Sequence, residues 1–281
     1  MFNVANNNPY NSLQISCNYY DENEYSHKFK NLKNLSMLSL TFKAFPQNSM
    51  NSENFCCFSI LLHAHQILYF CKKLGRFLIL LISRYIIILP YIQFTCRENR
   101  QGGGVGLYFK NGLQIKIIKE KSIFLEFIIE TIVAEVILPN NKKSVVVSIY
   151  RPPTSHPTLS QADQFEQFLE LFTNLISDLQ NCYNDLYILG DLNIDVLKYD
   201  SYQPAQDYVD LLFSYGLLQV ITKPTRYANS TATLIDHVIT SPKSSHCNTA
   251  ILTSKISNHF PIIYILDSAK TRASEKNLIF S

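Results

Sequence analysis

Asp185-Leu186-Tyr187-Ile188-Leu189-Gly190-Asp191-Leu192-Asn193 is the stretch that decides how this chain is interpreted. Its apolar run, residues 186–189, is too short for a helix, is rich in strand formers and is followed at once by glycine, so it predicts a buried strand. Residues two apart on a strand point to the same side, so Asp191 and Asn193 should project together. A carboxylate beside a neutral amide suits phosphate chemistry, because one binds a cation or activates water and the other donates to an anionic oxygen. The alternative is an ordinary strand-ending turn.

The composition bounds the class of protein. The chain has 281 residues, 47% of them hydrophobic, which is enough for one large domain or two small ones with a sizeable core. A net charge of +3 is compatible with a nucleic-acid substrate but too small for a dedicated basic nucleic-acid binder. The 7 cysteines lack paired metal-type spacing, which favours a reducing compartment. The polar N-terminus has no basic segment followed by an apolar one, so we expect a nuclear or cytoplasmic protein rather than a secreted one.

The segment from residue 42 to residue 97 departs from the rest of the chain. Residues 54–97 contain no acidic side chain, although the chain holds 22, and they contain more than half of its 7 cysteines. Three interpretations remain open: a membrane segment at residues 77–89, a buried part of a soluble core, or AT-rich DNA translated out of frame. The run before Pro90 spans about 13 residues, whereas a membrane helix needs about 20, and Arg84 interrupts it. Membrane attachment is therefore disfavoured.

After residue 97 the pattern alternates between strands and helices. Asn111-Gly112 lies between two apolar runs and predicts a hairpin that joins strands at 102–109 and 113–118. Apolar residues at helical spacing predict an amphipathic helix between Gln161 and Gln180 and a second helix near residues 207–215. Further strands are expected at 122–138, 144–150, 186–189, 233–240 and 261–266. This alternation favours a layered α/β sandwich.

The chain is accordingly divided into four segments. We expect a remnant of the domain's start at 1–41, the anomalous apolar segment at 42–97, the α/β domain at 98–268 and a polar tail at 269–281.

Polar residues cluster at the ends of the expected strands, where sites on sheet scaffolds usually form. Each cluster has a plain structural alternative, such as a capped core tyrosine, a surface turn or a packed histidine. The clusters are Tyr150-Arg151-Pro152-Pro153, Gly190-Asp191-Leu192-Asn193, Thr233-Leu234-Ile235-Asp236-His237 and Ser257-Asn258-His259-Phe260-Pro261-Ile262.

Together with Arg100-Gln101-Gly102-Gly103-Gly104-Val105-Gly106 and Lys223-Pro224-Thr225-Arg226, these motifs occur in an order that resembles the endonuclease/exonuclease/phosphatase family of divalent-metal phosphodiesterases. They most resemble the apurinic-like endonuclease domain of non-LTR retrotransposons, over roughly residues 98–266. The resemblance implies a four-layer α/β sandwich of the DNase I type. It also implies Mg²⁺- or Mn²⁺-dependent nicking of DNA that leaves a 3′-hydroxyl to prime reverse transcription. No reverse-transcriptase segment follows Ser281, so we expect at most the nuclease part of a larger element.

The resemblance also assigns roles to individual residues. Tyr150 would contact the scissile phosphate, and Asp191 would orient or deprotonate the attacking water. Asn193 would hold that water and a phosphate oxygen. Asp236 would pair with His259 and keep its imidazolium aimed at the phosphate, stabilising the charge of the transition state. Ser257 would support the loop that carries His259.

Two departures from the family predict an impaired nuclease. The closing motif, usually Ser-Asp-His, is Ser257-Asn258-His259 here, so one carboxylate is lost. The metal-binding glutamate should lie within residues 54–97, which contain no acid, and Glu53 is only a weak candidate. The rival interpretation is a catalytically inactive remnant that retains some affinity for DNA.

Overall fold

The structure is a computed structural model that describes residues 14–29, 35–44, 54–63, 69–74, 77–82, 85–94, 105–109, 114–137, 141–153, 155–228, 230–241, 246–253 and 258–266. In chain order its elements are β1 (Gln14–Tyr20), α1 (Glu22–Phe29), β2 (Leu35–Ala44), β3 (Asn54–His63), β4 (Tyr69–Leu74), β5 (Phe77–Ile82), β6 (Tyr85–Phe94), β7 (Val105–Phe109), β8 (Gln114–Ile117), β9 (Phe124–Leu125), β10 (Ile129–Ile137), β11 (Lys143–Tyr150), α2 (Gln161–Cys182), β12 (Leu186–Asp191), α3 (Gln203–Ser214), β13 (Leu218–Gln219), β14 (Arg226–Ala228), β15 (Thr231–Thr233), β16 (Asp236–Thr240), β17 (His246–Leu252) and β18 (Ile262–Leu266).

The strands form two large mixed sheets and one small hairpin. The first sheet has nine strands in the order β1-β17-β18-β2-β3-β7-β6-β5-β4. The second has seven strands in the order β13-β16-β12-β11-β10-β8, with β9 paired to β10. Strands β14 and β15 pair with each other alone. In the second sheet β11 and β12 are parallel, whereas β12 and β16 are antiparallel.

The two sheets face each other, and helices cover the second sheet from outside. Ser148 of β11 donates to the carbonyl of Gly106 on β7 at 3.3 Å, and the rings of Tyr187 and Tyr264 pack 5.7 Å apart. On the other side the phenylalanines of α2 stack, and Phe172 packs against Tyr208 of α3. Mixed sheets with packed helices confirm the predicted α/β class.

Gly190 allows β11 and β12 to run side by side just before the site. A Cβ atom at Gly190 would lie 1.7 Å from the carbonyl oxygen of Ile149, so no other residue fits without moving the backbone. The glycine that marks the end of the apolar run in the sequence is therefore required by the close approach of the neighbouring strand.

Several elements differ from the sequence predictions. The predicted hairpin at Lys110-Asn111-Gly112 is wrong, because β7 belongs to the first sheet and β8 to the second. A local turn signal cannot reveal that the two strands pair with partners in different sheets. Helix α3 begins at Gln203 rather than near residue 207, with a proline in its first turn. The strand expected at 233–240 is divided into β15 and β16.

The described parts of the segment 42–97 are strands of the first sheet. Among the helices that the structure describes, none has the length and apolar content needed to cross a bilayer. The division of the chain at residues 42 and 97 stays a prediction. The tail at 269–281 and the glycine run Gly102-Gly103-Gly104 lie outside the described residues.

Candidate active site

Four polar side chains form one row across neighbouring strands of the second sheet. The strand register pairs Glu130 with Tyr150, Tyr150 with Asp191, and Asp191 with Asp236. Directly paired residues project to the same face of a sheet. That face is the one that meets the first sheet, because Ser148, two residues before Tyr150, contacts Gly106 there. Each of the four side chains is at most 4% exposed.

His259 approaches this row from the strand connection of the first sheet and pairs with Asp236. Its Nδ1 donates to Asp236 Oδ2 at 2.9 Å and lies 3.2 Å from Oδ1. Burial by itself would lower the pKa of His259, but the charge and hydrogen bond of Asp236 outweigh burial and raise it. The imidazole is therefore held in its protonated form to a higher pH than a free histidine.

Thr225 fixes the orientation of Asp236. Its hydroxyl donates to Asp236 Oδ2 at 2.7 Å and accepts from the backbone N–H groups of Asp236 at 3.1 Å and Ile235 at 3.3 Å. The threonine is fully buried, so these contacts replace all its hydration. One carboxylate oxygen of Asp236 is thus shared by Thr225 and His259.

Asp191 has the most strongly shifted acidity at the site. Burial first, and then the negative charge of Asp236, raise its pKa to about 7. His259, the backbone N–H of Asn193 and Arg226 act in the opposite direction. A carboxyl group that titrates near neutral pH can accept a proton from water, which an ordinary aspartate does poorly.

Asn193 closes the turn that follows Asp191. Its φ of 49° lies in the left-handed region, which asparagine tolerates better than most residues. The backbone N–H of Asn193 donates to Asp191 Oδ1 at 3.1 Å, and its side-chain amide donates to the carbonyl of Arg151 at 2.8 Å. The turn therefore joins the ends of β11 and β12, and its backbone N–H fixes the orientation of the Asp191 carboxylate.

His237, next to Asp236 in sequence, faces the opposite side of the sheet. Its Nδ1 contacts the hydroxyl of Tyr208 at 2.9 Å, and Nε2 lies 3.2 Å from the carbonyl of Leu234. Burial lowers the pKa of His237 to about 4, so the ring is neutral. This histidine anchors α3 to β16 and has no place in the row.

The structure brings Tyr150, Asp191, Asp236 and His259 together on the face between the sheets. Asn193 lies in the turn after β12 and contacts Asp191 through its backbone N–H. Asn258 is half-buried beside His259, and its carbonyl accepts from the N–H of Tyr227 at 3.0 Å. Ser257 and Glu53 lie outside the described residues.

Sequence reasoning missed two residues of this region, Glu130 and Thr225. Glu130 is 0% exposed and lies opposite Tyr150. The position of Glu130 on β10 becomes informative only once the register of β10 with β11 is known. Thr225 lies in a motif quoted from the sequence, but its contact with Asp236 joins the segment before β14 to the start of β16, which the sequence does not indicate.

The site contains two carboxylates that could hold a divalent cation. Ligand atoms of Asp191 and Asp236 lie within 4.8 Å of each other and of His259, whose protonated ring is a hydrogen-bond donor rather than a cation ligand. Carboxylate oxygens are the ligands that Mg²⁺ and Mn²⁺ prefer, and a buried carboxyl with a raised pKa gains most from a nearby cation. Asp191 is the best placed ligand, because Asp236 is already engaged by Thr225 and His259.

Comparison with known proteins identifies the family of the chain. The Endonuclease/Exonuclease/phosphatase family model matches residues 36–259, and the chain belongs to that family, as its motifs predict. A search of curated proteins gave no match.

Among solved structures, the chain is similar to a 3′-5′ exonuclease from Neisseria meningitidis, with 15% identity, 56% of this chain and 71% of that chain covered, and a TM-score of 0.40. It is also similar to the endonuclease domain of TRAS1, a telomere-specific non-LTR retrotransposon, with 13% identity, 63% and 78% covered, and a TM-score of 0.46. An AP endonuclease from Archaeoglobus fulgidus shares 15% identity over 48% of this chain and 65% of its own, with a TM-score of 0.37.

Thr225→Val should destabilise the fold by about 1–3 kcal/mol, because it leaves a buried carboxylate oxygen and two backbone N–H groups without the hydroxyl. Thr225→Ser is the matched control, since it keeps the hydroxyl and removes only a methyl group. The free energy of unfolding from urea titration measures both. An equal decrease in the free energy of unfolding for the two variants would show that the Thr225 hydroxyl does not hold Asp236.

Proposed function

We propose that this chain is a retrotransposon-derived nuclease domain whose reaction is metal-dependent hydrolysis of one DNA strand, with a rate reduced by the changes in its site. The single observation that carries the proposal is the buried set of Asp191, Asp236 and His259, in which a carboxyl of raised pKa lies beside a carboxylate–imidazolium pair. In-line attack on a phosphodiester needs an activated water and positive charge near the phosphate, and this set contains groups for both.

Each side chain has a definite task in this proposal. Asp191 orients the attacking water or accepts a proton from it, because its carboxyl group lies at the end of β12 beside Tyr150 and Asp236. Asp236 holds His259 in its protonated form, and the imidazolium stabilises negative charge on the phosphate. Tyr150 donates its hydroxyl hydrogen to a phosphate oxygen, and Asn193 donates the second N–H of its side-chain amide to another.

A divalent cation, Mg²⁺ or Mn²⁺, would be held by Asp191 with Asp236 nearby and would supply charge neutralisation at the phosphate. DNA is proposed as the substrate because the family acts on phosphodiesters and phosphomonoesters and the chain carries a net charge of +3. A 3′-hydroxyl left by the nick would serve a reverse transcriptase, which is the proposed ancestral partner.

Reduced activity follows from two features of the sequence. Asn258 replaces a carboxylate beside His259, and residues 54–97 contain no acid to complete the cation site. Loss of one oriented charge at such a site lowers the rate by about 10²–10³-fold. These same features favour the second candidate function, an inactive remnant that binds DNA.

The decisive experiment is nicking of supercoiled plasmid by the purified full chain with Mg²⁺ or Mn²⁺. We expect slow conversion to the open circle, ends that DNA polymerase can extend, and no conversion with EDTA. His259→Ala, prepared identically, controls for contaminating nuclease and should be inactive. Binding of the plasmid without nicking at high protein concentration would establish the remnant instead, and neither binding nor nicking would contradict both candidates.

A further inference from the structure

A groove beside α2, here called the α2 groove, has no part in the proposed reaction. Its volume of about 420 Å³ is within the range of ligand-binding sites. Its walls come from the segment around β9, from the segment between β11 and α2, and from the first half of α2, the helix that covers the second sheet from outside. The residues that line it include Leu125, Ile128, His156, Leu159, Glu166 and Glu170.

The floor of the α2 groove is apolar. Ile128 is buried there, Leu159 is half-buried, and Leu125 at the edge is 38% exposed. A single exposed leucine is ordinary on a protein surface. A leucine at the open edge of a concave apolar surface, in contrast, offers a contact to a side chain that enters the groove.

Acidic side chains form the rim of the α2 groove. Asp163, Glu166 and Glu170 are exposed on one side of α2, and their spacing of three and four residues extends over about 10 Å of the helix. In the part of the chain that the structure describes, no cation pairs with Glu166 or Glu170. Asp178, further along the same helix, differs because it pairs with Lys121 at 3.0 Å.

Contacts between its walls hold the α2 groove in shape. Gln164 of α2 is 5% exposed; its Nε2 donates to the carbonyl of Phe127 at 2.6 Å, and its Oε1 accepts from the N–H of His156 at 3.1 Å. The rings of Phe127 and His156 meet edge-on at 5.4 Å. Because these walls are already tied together, a ligand would not have to order them, which lowers the entropy cost of binding.

His156 supplies a hydrogen-bond donor to the lining. Its Nδ1 accepts from the backbone N–H groups of Thr158 and Leu159, each at 3.2 Å. The ring hydrogen therefore lies on Nε2, which suits a peptide carbonyl as its acceptor.

The charges of the rim decide which class of ligand fits. Carboxylates repel the phosphates of a nucleic acid. A shared metal ion is also disfavoured, because the group of three potential cation ligands in the described part of the chain lies at Asp191, Asp236 and His259, not in the α2 groove. A cationic peptide with an apolar side chain matches both the rim and the floor.

We propose that the α2 groove docks a segment of a partner protein in which one large apolar side chain is flanked by lysines or arginines. The apolar side chain contacts Leu125 and Leu159, and the cations pair with Glu166 and Glu170. The inference does not depend on the proposed nuclease activity, because no residue of the groove takes part in that reaction.

The test measures binding of a synthetic peptide to the purified full chain by fluorescence anisotropy. The probe carries one leucine between two pairs of lysines, and in two matched peptides serine replaces the leucine or glutamine replaces the lysines. We expect the probe to bind on the order of 10-fold more tightly than either matched peptide, with an affinity that falls as salt is added.

Variants of the full chain locate the binding surface. Glu166→Gln combined with Glu170→Gln should weaken binding of the probe on the order of 10-fold, and Leu125→Ser should have a similar effect. Asp178→Asn is the matched control for the acids, because it removes a paired carboxylate from the same helix. Leu197→Ser is the control for Leu125, since that leucine is 45% exposed elsewhere on the surface. Both controls should bind the probe as wild type does.

Chemical coupling provides an independent location. A carbodiimide joins a lysine amine to a nearby carboxylate, and we expect it to attach the probe at Glu166 or Glu170. Equal affinity for the three peptides, unchanged affinity in the groove variants, or coupling at other acids alone would overturn the inference. Loss of affinity for duplex DNA in the groove variants would assign the groove to a nucleic-acid surface and would also contradict it. Thermal unfolding of each variant shows that a loss is not caused by misfolding.

Discussion

Asp191→Asn should lower Mg²⁺-dependent nicking by about 10³-fold and also stabilise the fold at neutral pH. The catalytic loss is expected because asparagine cannot accept a proton and is a weaker cation ligand. The gain in stability is expected because the wild-type carboxyl is fully buried beside Asp236, where its charged form is unfavourable. Opposite effects on rate and on stability at one residue are typical of groups kept for function.

The pH dependence of this gain has a definite sign. The pKa of Asp191 is raised from 3.8 to about 7 in the folded protein, so the folded state holds a proton that the unfolded state has released. The contribution of Asp191 to the free energy of unfolding is therefore fully present below pH 4, and it is lost as the pH rises towards 7. At about 1.4 kcal/mol for each pH unit, the loss approaches roughly 4 kcal/mol at most. Asp191→Asn should remove this loss, so its advantage over wild type is larger at pH 8 than at pH 5.

Urea unfolding of both proteins at pH 5 and pH 8 measures this difference. Asp185→Asn is a control of opposite sign, because Asp185 is a buried carboxylate at the other end of β12 that pairs with Lys142 at 2.6 Å. That variant should be destabilised at both pH values. Mn²⁺ should raise the melting temperature of wild type but not of Asp191→Asn, since the cation offsets the same buried charge. An equal response of both proteins to Mn²⁺ would remove Asp191 from the cation site.

Asn258→Asp should increase the nicking rate by about 10²-fold, which is the opposite of what most substitutions in an active site do. The change is nearly isosteric, and the backbone at this position is held by the bond from the Tyr227 N–H to the Asn258 carbonyl. A carboxylate beside His259 adds both a cation ligand and a partner for the imidazolium. We also expect a lower concentration of Mg²⁺ for half-maximal rate.

The carboxylate added by Asn258→Asp should lower the thermal stability of the protein when no metal ion is present. In EDTA a further carboxylate in the region of Asp191 and Asp236 should lower the melting temperature, and Mg²⁺ should restore it. Asn184→Asp makes the same chemical change at an exposed position before β12 and serves as the control. If neither Asn258→Asp nor Asn184→Asp changes the rate, Asn258 does not limit the proposed activity. The lack of acidic residues in 54–97 is then the remaining explanation for a slow reaction.

Local patterns predicted the elements that carry the site. The apolar run before Gly190 became β12, and the helical spacing of phenylalanines became α2, because each depends on residues close in sequence. The order of the polar motifs predicted the family, which the family model confirms. The hairpin failed at Asn111-Gly112 because the turn signal is local, whereas the two strands pair with partners in different sheets.

By itself the sequence determined the α/β class and the family, and it predicted five residues of the candidate site: Tyr150, Asp191, Asn193, Asp236 and His259. Only the tertiary structure decided that Glu130 shares their row, that Thr225 holds Asp236, and that Tyr19 packs beside Tyr227, 208 residues later in the chain. The reason is physical. Periodicity and turn chemistry act between near neighbours, whereas strand register and loop-to-loop contacts are set by which distant segments pack together.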